Sequence, residues 1–291
     1  MSPVGESIDE WSTLFTAMVL QALPFLVLGV LLSAVVAVLV PMRVWHRLLQ
    51  RRTVVAVPMA TACGVLVPGC ECTTVPIAGR LTERGVPFAA AMSFALASPA
   101  LNPIVLLATA AAFAGQPQMV VARFAASFLA VVIVGSYLAA AGVRPVPKSG
   151  HHHHDHPGGT AAQLIAAARH DFTHTAGLVV AGAAIAATIR VALPDDLLSR
   201  LGDHGVLAVL TMAFFAIVMA LCSESDAFIA ASFVTFSPVA VLTFMVVGPL
   251  VDLRLLLMYR ATFGTRAAFA IGGLALAGAL AAAVSIGSVL L

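Results

Sequence analysis

The 291 residues read as an all-α polytopic membrane protein made of two inverted repeats, each with about three crossing helices plus a re-entrant or broken helix hairpin. Three observations lead there. Hydrophobic residues make up 61% of the chain and charged residues only 10%, with a mean hydropathy of +1.04. A soluble domain carries about 25% charged residues, so this chain has too little polar surface to cover a water-soluble particle. Eight apolar segments approach the roughly 20 residues that a membrane span needs. Two of these segments are broken at matching places in the two halves, one by proline, glycine and polar residues and the other by a polar run, a pattern typical of secondary transporters. A net charge of +2 without a long basic block excludes nucleic-acid binding as the main business of the chain.

The segments are, approximately, Leu14–Val40, Val54–Ala78, Phe88–Phe113, Met119–Ala141, Ala176–Leu193, Val206–Phe236, Val239–Leu257 and Ala267–Leu290. The N-terminus carries Glu6, Asp9 and Glu10 and lacks the basic n-region of a secretory signal, so the first run is expected to stay as a transmembrane helix. Residues 1–143 form the first expected repeat and 161–291 the second. Between them, residues 144–160 hold Pro145, Pro147, Pro157, Gly158 and Gly159 around His151, His152, His153, His154, Asp155 and His156, a polar linker.

A gapless shift of 150 residues lays Cys72 on Cys222, Thr73 on Ser223, Phe94 on Phe244, Ser98-Pro99 on Gly248-Pro249 and Asn102 on Asp252. The breaks fall in the same register. Val54–Ala78 contains Pro58, then Pro68, Gly69 and Pro76 around Cys70-Glu71-Cys72-Thr73-Thr74. Val206–Phe236 carries Cys222-Ser223-Glu224-Ser225-Asp226 at its middle. Each can cross straight through or enter and leave by one face, and charge placement discriminates between the two. With both segments re-entrant, twelve Lys and Arg lie inside and three outside, the three being Arg123, Arg190 and Arg200. Straight crossings divide them ten to five. The re-entrant arrangement leaves three crossings per half, which inverts the second half, puts the N-terminus outside and places the linker in the cytoplasm.

Non-helical backbone at membrane depth is tolerated where it is buried in protein or lines a wet cavity, which makes the breaks the candidate site. Cys70, Cys72 and Cys222 suit a soft, thiophilic solute or ion; equally, Cys packs well as a small apolar residue. Thr73, Thr74, Ser223 and Ser225 add hydroxyls there. Glu71, Glu224, Asp226 and Asp252 are acids within apolar runs, where a carboxylate faces a cavity, pairs or takes a proton; helix capping is the plainer role. Pro99, Asn102 and Pro103 interrupt the third span and Pro249 the matching place in the second half, either to line a path or simply to kink the helix. The tract His151, His152, His153, His154 and His156 can ligate a metal or serve as a soluble spacer. Catalytic motifs are absent: the chain has no phosphate-binding loop and no His-Glu-x-x-His pattern. Neither an enzyme activity nor a bound cofactor is expected.

Taken together, Cys63-Gly64-Val65-Leu66-Val67-Pro68-Gly69-Cys70-Glu71-Cys72, Pro76, Arg80, Gly85-Val86-Pro87, Phe94 and Ser98-Pro99-Ala100-Leu101-Asn102-Pro103 resemble the signature of the predicted-permease family that includes ArsP-type organoarsenical efflux proteins. In the second half, Cys222 to Phe228, Phe236-Ser237-Pro238 and Gly248-Pro249-Leu250-Val251-Asp252 agree with it. The resemblance covers nearly all the chain outside the linker. It implies a multi-pass secondary carrier of the inner membrane that exports trivalent organoarsenicals, solutes that bind cysteine thiolates. The expected partners are the lipid bilayer and a small thiophilic solute or ion, with a homo-oligomer left open. A carrier or channel for a metal ion or anion, and a membrane subunit that needs a partner protein, are the competing expectations.

Overall fold

The computed structural model describes residues 8–20, 22–24, 53–66, 71–143, 179–188 and 205–291, with isolated positions 27, 169, 172, 173, 176, 177 and 191; the side chains of 53–55 and 72 are outside the described set. Every regular element among these residues is helical. In chain order they are α1 (8–20), α2 (Thr53–Leu66), α3 (Glu71–Glu83), α4 (Phe88–Leu101), α5 (Pro103–Ala112), α6 (Pro117–Ala140), α7 (Val179–Thr188), α8 (Gly205–Met219), α9 (Asp226–Ala230), α10 (Pro238–Val247), α11 (Leu253–Phe263) and α12 (Thr265–Leu290).

Proline sets several of the starts. Pro103, Pro117 and Pro238 each occupy the first turn of a helix, where the missing N–H costs no hydrogen bond and the fixed φ is already helical. Glycine sets one of the stops: Gly264, at φ 90, turns α11 into α12 through a conformation that a side chain would oppose. Three helices are long and apolar enough to cross a membrane, namely Phe88–Ala112 (α4 running into α5), α6 and α12. The apolar helix α8 has 15 residues, about 22 Å at the helical rise, too short to cross the roughly 30 Å hydrocarbon core alone. Of the two segments singled out for their breaks, Val206–Phe236 is divided into α8 and α9, while in Val54–Ala78 residues 67–70, between α2 and α3, lie outside the described residues.

The interior is built on α4 and α10. All of α4 is buried except Phe94, and α10 is buried from Ala240 onward. Around α4 pack α2, α3 and α6; around α10 pack α8, α9 and α12. Two contacts are exchanged: α3 packs on α11 and α9 packs on α5. Small residues let the helices approach, as expected where lipid removes most of the hydrophobic drive and close van der Waals packing has to hold helices together. A Cβ on Gly64 would lie 2.7 Å from the Phe94 carbonyl oxygen, and one on Gly135 would collide with Ser93 Oγ and come 2.9 Å from Val57. Gly135→Leu is therefore expected to force α6 away from α2 and α4. Overpacking of this kind costs about 1–3 kcal/mol, measurable as a lower midpoint in reversible detergent-unfolding of the purified protein.

Candidate functional site

Helix breaks free backbone groups, and the two breaks after α4 and α10 satisfy them in the same way. Asn102 Oδ1 accepts from the N–H of Val105 at 2.9 Å to cap α5. Asp252, 150 positions on, accepts from the N–H of Leu255 to cap α11. The two residues differ in what else they can do. An amide both accepts and donates, and Asn102 Nδ2 donates back to the Ser98 carbonyl at 2.9 Å, closing the end of α4. A carboxylate only accepts, so Asp252 needs a cation. Arg254 lies 3.5 Å from Asp252 Oδ2.

That arginine is the centre of one polar cluster. The Nη2 of Arg254 donates to Glu71 Oε1 at 2.8 Å and to the Ala220 carbonyl at 2.9 Å. Glu71 opens α3. Ala220 ends α8 at φ 45, a left-handed conformation rarely adopted by residues other than glycine. Arg254 thus holds a strained turn at the second break and the acid of the first break at once. Arg254, Glu71 and Asp252 are all at most 2% exposed.

A second cluster surrounds Arg123 in α6, which is fully buried. Its Nη1 donates to Thr109 Oγ1 at 2.8 Å; its Nη2 donates to Asp226 Oδ2 at 2.7 Å and to the Ser223 carbonyl at 3.1 Å. The connection from α8 to α9 is a tight turn in which the N–H groups of Ser225 and Asp226 both donate to the Cys222 carbonyl. Ser225 Oγ donates to that same carbonyl. Cys222 places a buried thiol in this turn.

The charge count treats Arg123 as an outer-face and Arg254 as a cytoplasmic residue; the structure adds that both are buried in the helix packing and pair with acids. The signal was present, because an arginine within an apolar run calls for an interior partner. Thr109 and Ser127 are further interior polar residues that sequence reasoning did not single out.

Of the expected site residues, Glu71 and Asp252 converge on Arg254, while Asp226 and Ser223 converge on Arg123. Thr73 and Thr74 are buried, and Thr74 donates to the Ala95 carbonyl at 3.1 Å, which ties α3 to α4. Pro76 and Pro99 lie within α3 and α4, and Pro249 lies in the turn between α10 and α11. Pro68, Gly69 and Cys70, and the tract His151, His152, His153, His154 and His156, are outside the described residues, as is the side chain of Cys72. Among the described residues, no group of three or more His, Cys, Asp or Glu is arranged to hold a metal.

A family model described as a predicted permease matches residues 7–288. The chain belongs to this predicted-permease family. Among curated proteins, the UPF0718 protein YcgR of Bacillus subtilis is 35% identical over 270 residues, covering 90% of this chain and 92% of the relative. A second relative, from Streptococcus mutans, is named "putative two-component membrane permease complex subunit"; it is 31% identical over 268 residues, covering 89% of each chain. No solved structure matches. Membership accords with the apolar helices: this family member is an integral membrane protein of transporter type. Of the three buried ion pairs among the described residues, two join a residue before the linker to one after it, Arg123 to Asp226 and Glu71 to Arg254.

Proposed function

We propose that this permease is a secondary transporter built from two inverted repeats. It exports a thiophilic solute, such as a trivalent organoarsenical, across the inner membrane. The observation that carries the reading is the exchanged pairing of the two halves. The first break sends Glu71 to Arg254, and the second sends Asp226 to Arg123. The helix contacts α3 with α11 and α9 with α5 are exchanged in the same sense, and the Asn102 and Asp252 caps keep the 150-residue register. Two breaks facing each other across a pseudo-two-fold axis are the layout in which one half can rock against the other around a central site.

In this reading Cys70, Cys72 and Cys222 are the soft ligands, with Thr73, Thr74, Asn102, Ser223 and Ser225 lining the path. Glu71, Glu224, Asp226 and Asp252 carry the coupling proton. Protonating one acid weakens its pair and changes the relative free energies of the two arrangements of the halves, which is what a coupling ion must do. The N-terminus faces outward and the histidine tract faces the cytoplasm.

Cells expressing the protein are expected to gain resistance to methylated or phenyl trivalent arsenicals, and Cys70→Ala/Cys72→Ala is expected to abolish that gain. Full resistance in the double variant would refute the thiol mechanism, and tolerance of metal salts alone would point to a metal-ion carrier. A second reading, a subunit that transports only with a partner, is favoured by the printed name of the Streptococcus mutans relative. Uptake into liposomes holding the purified chain alone decides against it.

A further inference from the structure

The Arg123 cluster holds more buried polar atoms than its hydrogen bonds use. Asp226 Oδ1, Glu224 Oε2, Ser223 Oγ, Ser127 Oγ and Arg123 Nε are all buried without a hydrogen-bond partner among the described residues. Ser127 and Ser223 are 0% exposed. Ser127 stands one helical turn after Arg123 on the buried stripe of α6, and Ser223 touches Arg123 through its own carbonyl. An unsatisfied polar atom in the interior is costly, and such atoms cluster where water, an ion or a ligand belongs. Four of the five are oxygens, and two of those belong to carboxyls.

Charge points the same way. Asp226 and Glu224 lie within electrostatic range of each other and of Arg123. The two terminal nitrogens of Arg123 are already committed to Thr109, to the Ser223 carbonyl and to Asp226 Oδ2. One guanidinium beside two carboxyls leaves the cluster short of positive charge. The surrounding elements supply little more. Both α5 and α10 pack on α9 and carry no titratable side chain; α11 contributes Arg254, which acts on Glu224.

We propose that Ser223, Glu224 and Asp226, with Ser127 of α6, form a binding site for a small hard cation, Na+ or a hydrated proton. Oxygen-only donors of this kind select hard cations over the soft ions that thiols take. The fixed charge of Arg123 at its edge keeps binding weak enough for release, as a coupling site requires. The site deepens the transporter reading, since it would be where the coupling ion sits, but its occupancy can be tested without any transport.

The test uses the full-length purified protein in detergent. Thermal stability and isothermal titration are followed with NaCl against choline chloride at equal ionic strength, at pH 8.5 and pH 5.5. The expected result is a saturable stabilisation by Na+ at pH 8.5. If instead acidification alone stabilises the wild type, and Glu224→Gln abolishes that response, the occupant is the proton. Ser127→Ala/Ser223→Ala leaves the Arg123–Asp226 pair intact, so it should fold while shifting the half-saturating concentration at least tenfold. No response beyond choline at either pH, or a wild-type response in the double variant, would overturn the site. Organoarsenical export without any cation response would overturn the site and leave the transporter reading standing. Cation binding without export would do the reverse.

Discussion

Arg123→Ala is expected to destabilise the protein by about 3–5 kcal/mol, the usual consequence of removing one member of a buried ion pair. The reason lies in what the variant leaves behind. Asp226 would keep its charge, or take a proton, beside Glu224 with no guanidinium to offset either, and the carbonyl of Ser223 and the hydroxyl of Thr109 would lose their donor. Asp226→Ala should cost a similar amount, because it leaves Arg123 uncompensated. The double variant is the decisive one. Since each single change exposes a charge that the other removes, Arg123→Ala/Asp226→Ala should be markedly more stable than the sum of the two losses. Neighbouring residues in one network typically couple by about 0.5–3 kcal/mol. Reversible unfolding in mixed detergent micelles gives the three values, and strict additivity would show that the two side chains do not act as a pair.

The second large effect is expected at Arg254. One nitrogen of this residue reaches Glu71, Asp252 and the Ala220 carbonyl. Arg254→Ala should again cost about 3–5 kcal/mol, and it should also loosen both breaks together. With Asp252 uncompensated the cap of α11 weakens, and without the bond to its carbonyl Ala220 has less to hold it at φ 45. Arg254→Lys separates charge from geometry. An ammonium keeps the positive charge but lacks the planar fork of the guanidinium, so the lysine variant should recover part of the stability and little of the transport in proteoliposomes. Full recovery of both by lysine would mean that Arg254 serves only as a counter-charge. The glutamine variant of Glu71 offers a check from the other side of the pair: it should fold better than Arg254→Ala, because it removes a charge from Arg254 without leaving an orphan acid.

Much of the local architecture is legible in the sequence. Hydropathy located the long helices, since a span is a property of about 20 consecutive residues. Pro103 and Gly248-Pro249 mark the breaks after α4 and α10, whereas Pro58, Pro76 and Pro99 lie within helices and the break between α8 and α9 holds neither proline nor glycine. The cap at Asn102 and its counterpart at Asp252 were visible as a matched pair. The site was legible only in part. Glu71, Asp226 and Asp252 stood out as acids in apolar runs, but Arg123 and Arg254 were assigned to the membrane faces, and Thr109 and Ser127 carried no signal above the background of hydroxyls in transmembrane helices.

The sequence by itself thus determined that this chain is a helical integral membrane protein of the predicted-permease family. Composition, periodicity and motif are local quantities, and the bilayer makes them strict by requiring every backbone group to be satisfied within its own segment. Only the tertiary structure decided which acid meets which arginine. Asp226 pairs with a residue 103 positions away and Glu71 with one 183 positions away. Such pairings depend on how closely α3 approaches α11 and α9 approaches α5, a matter of helix packing to which no single stretch of sequence responds.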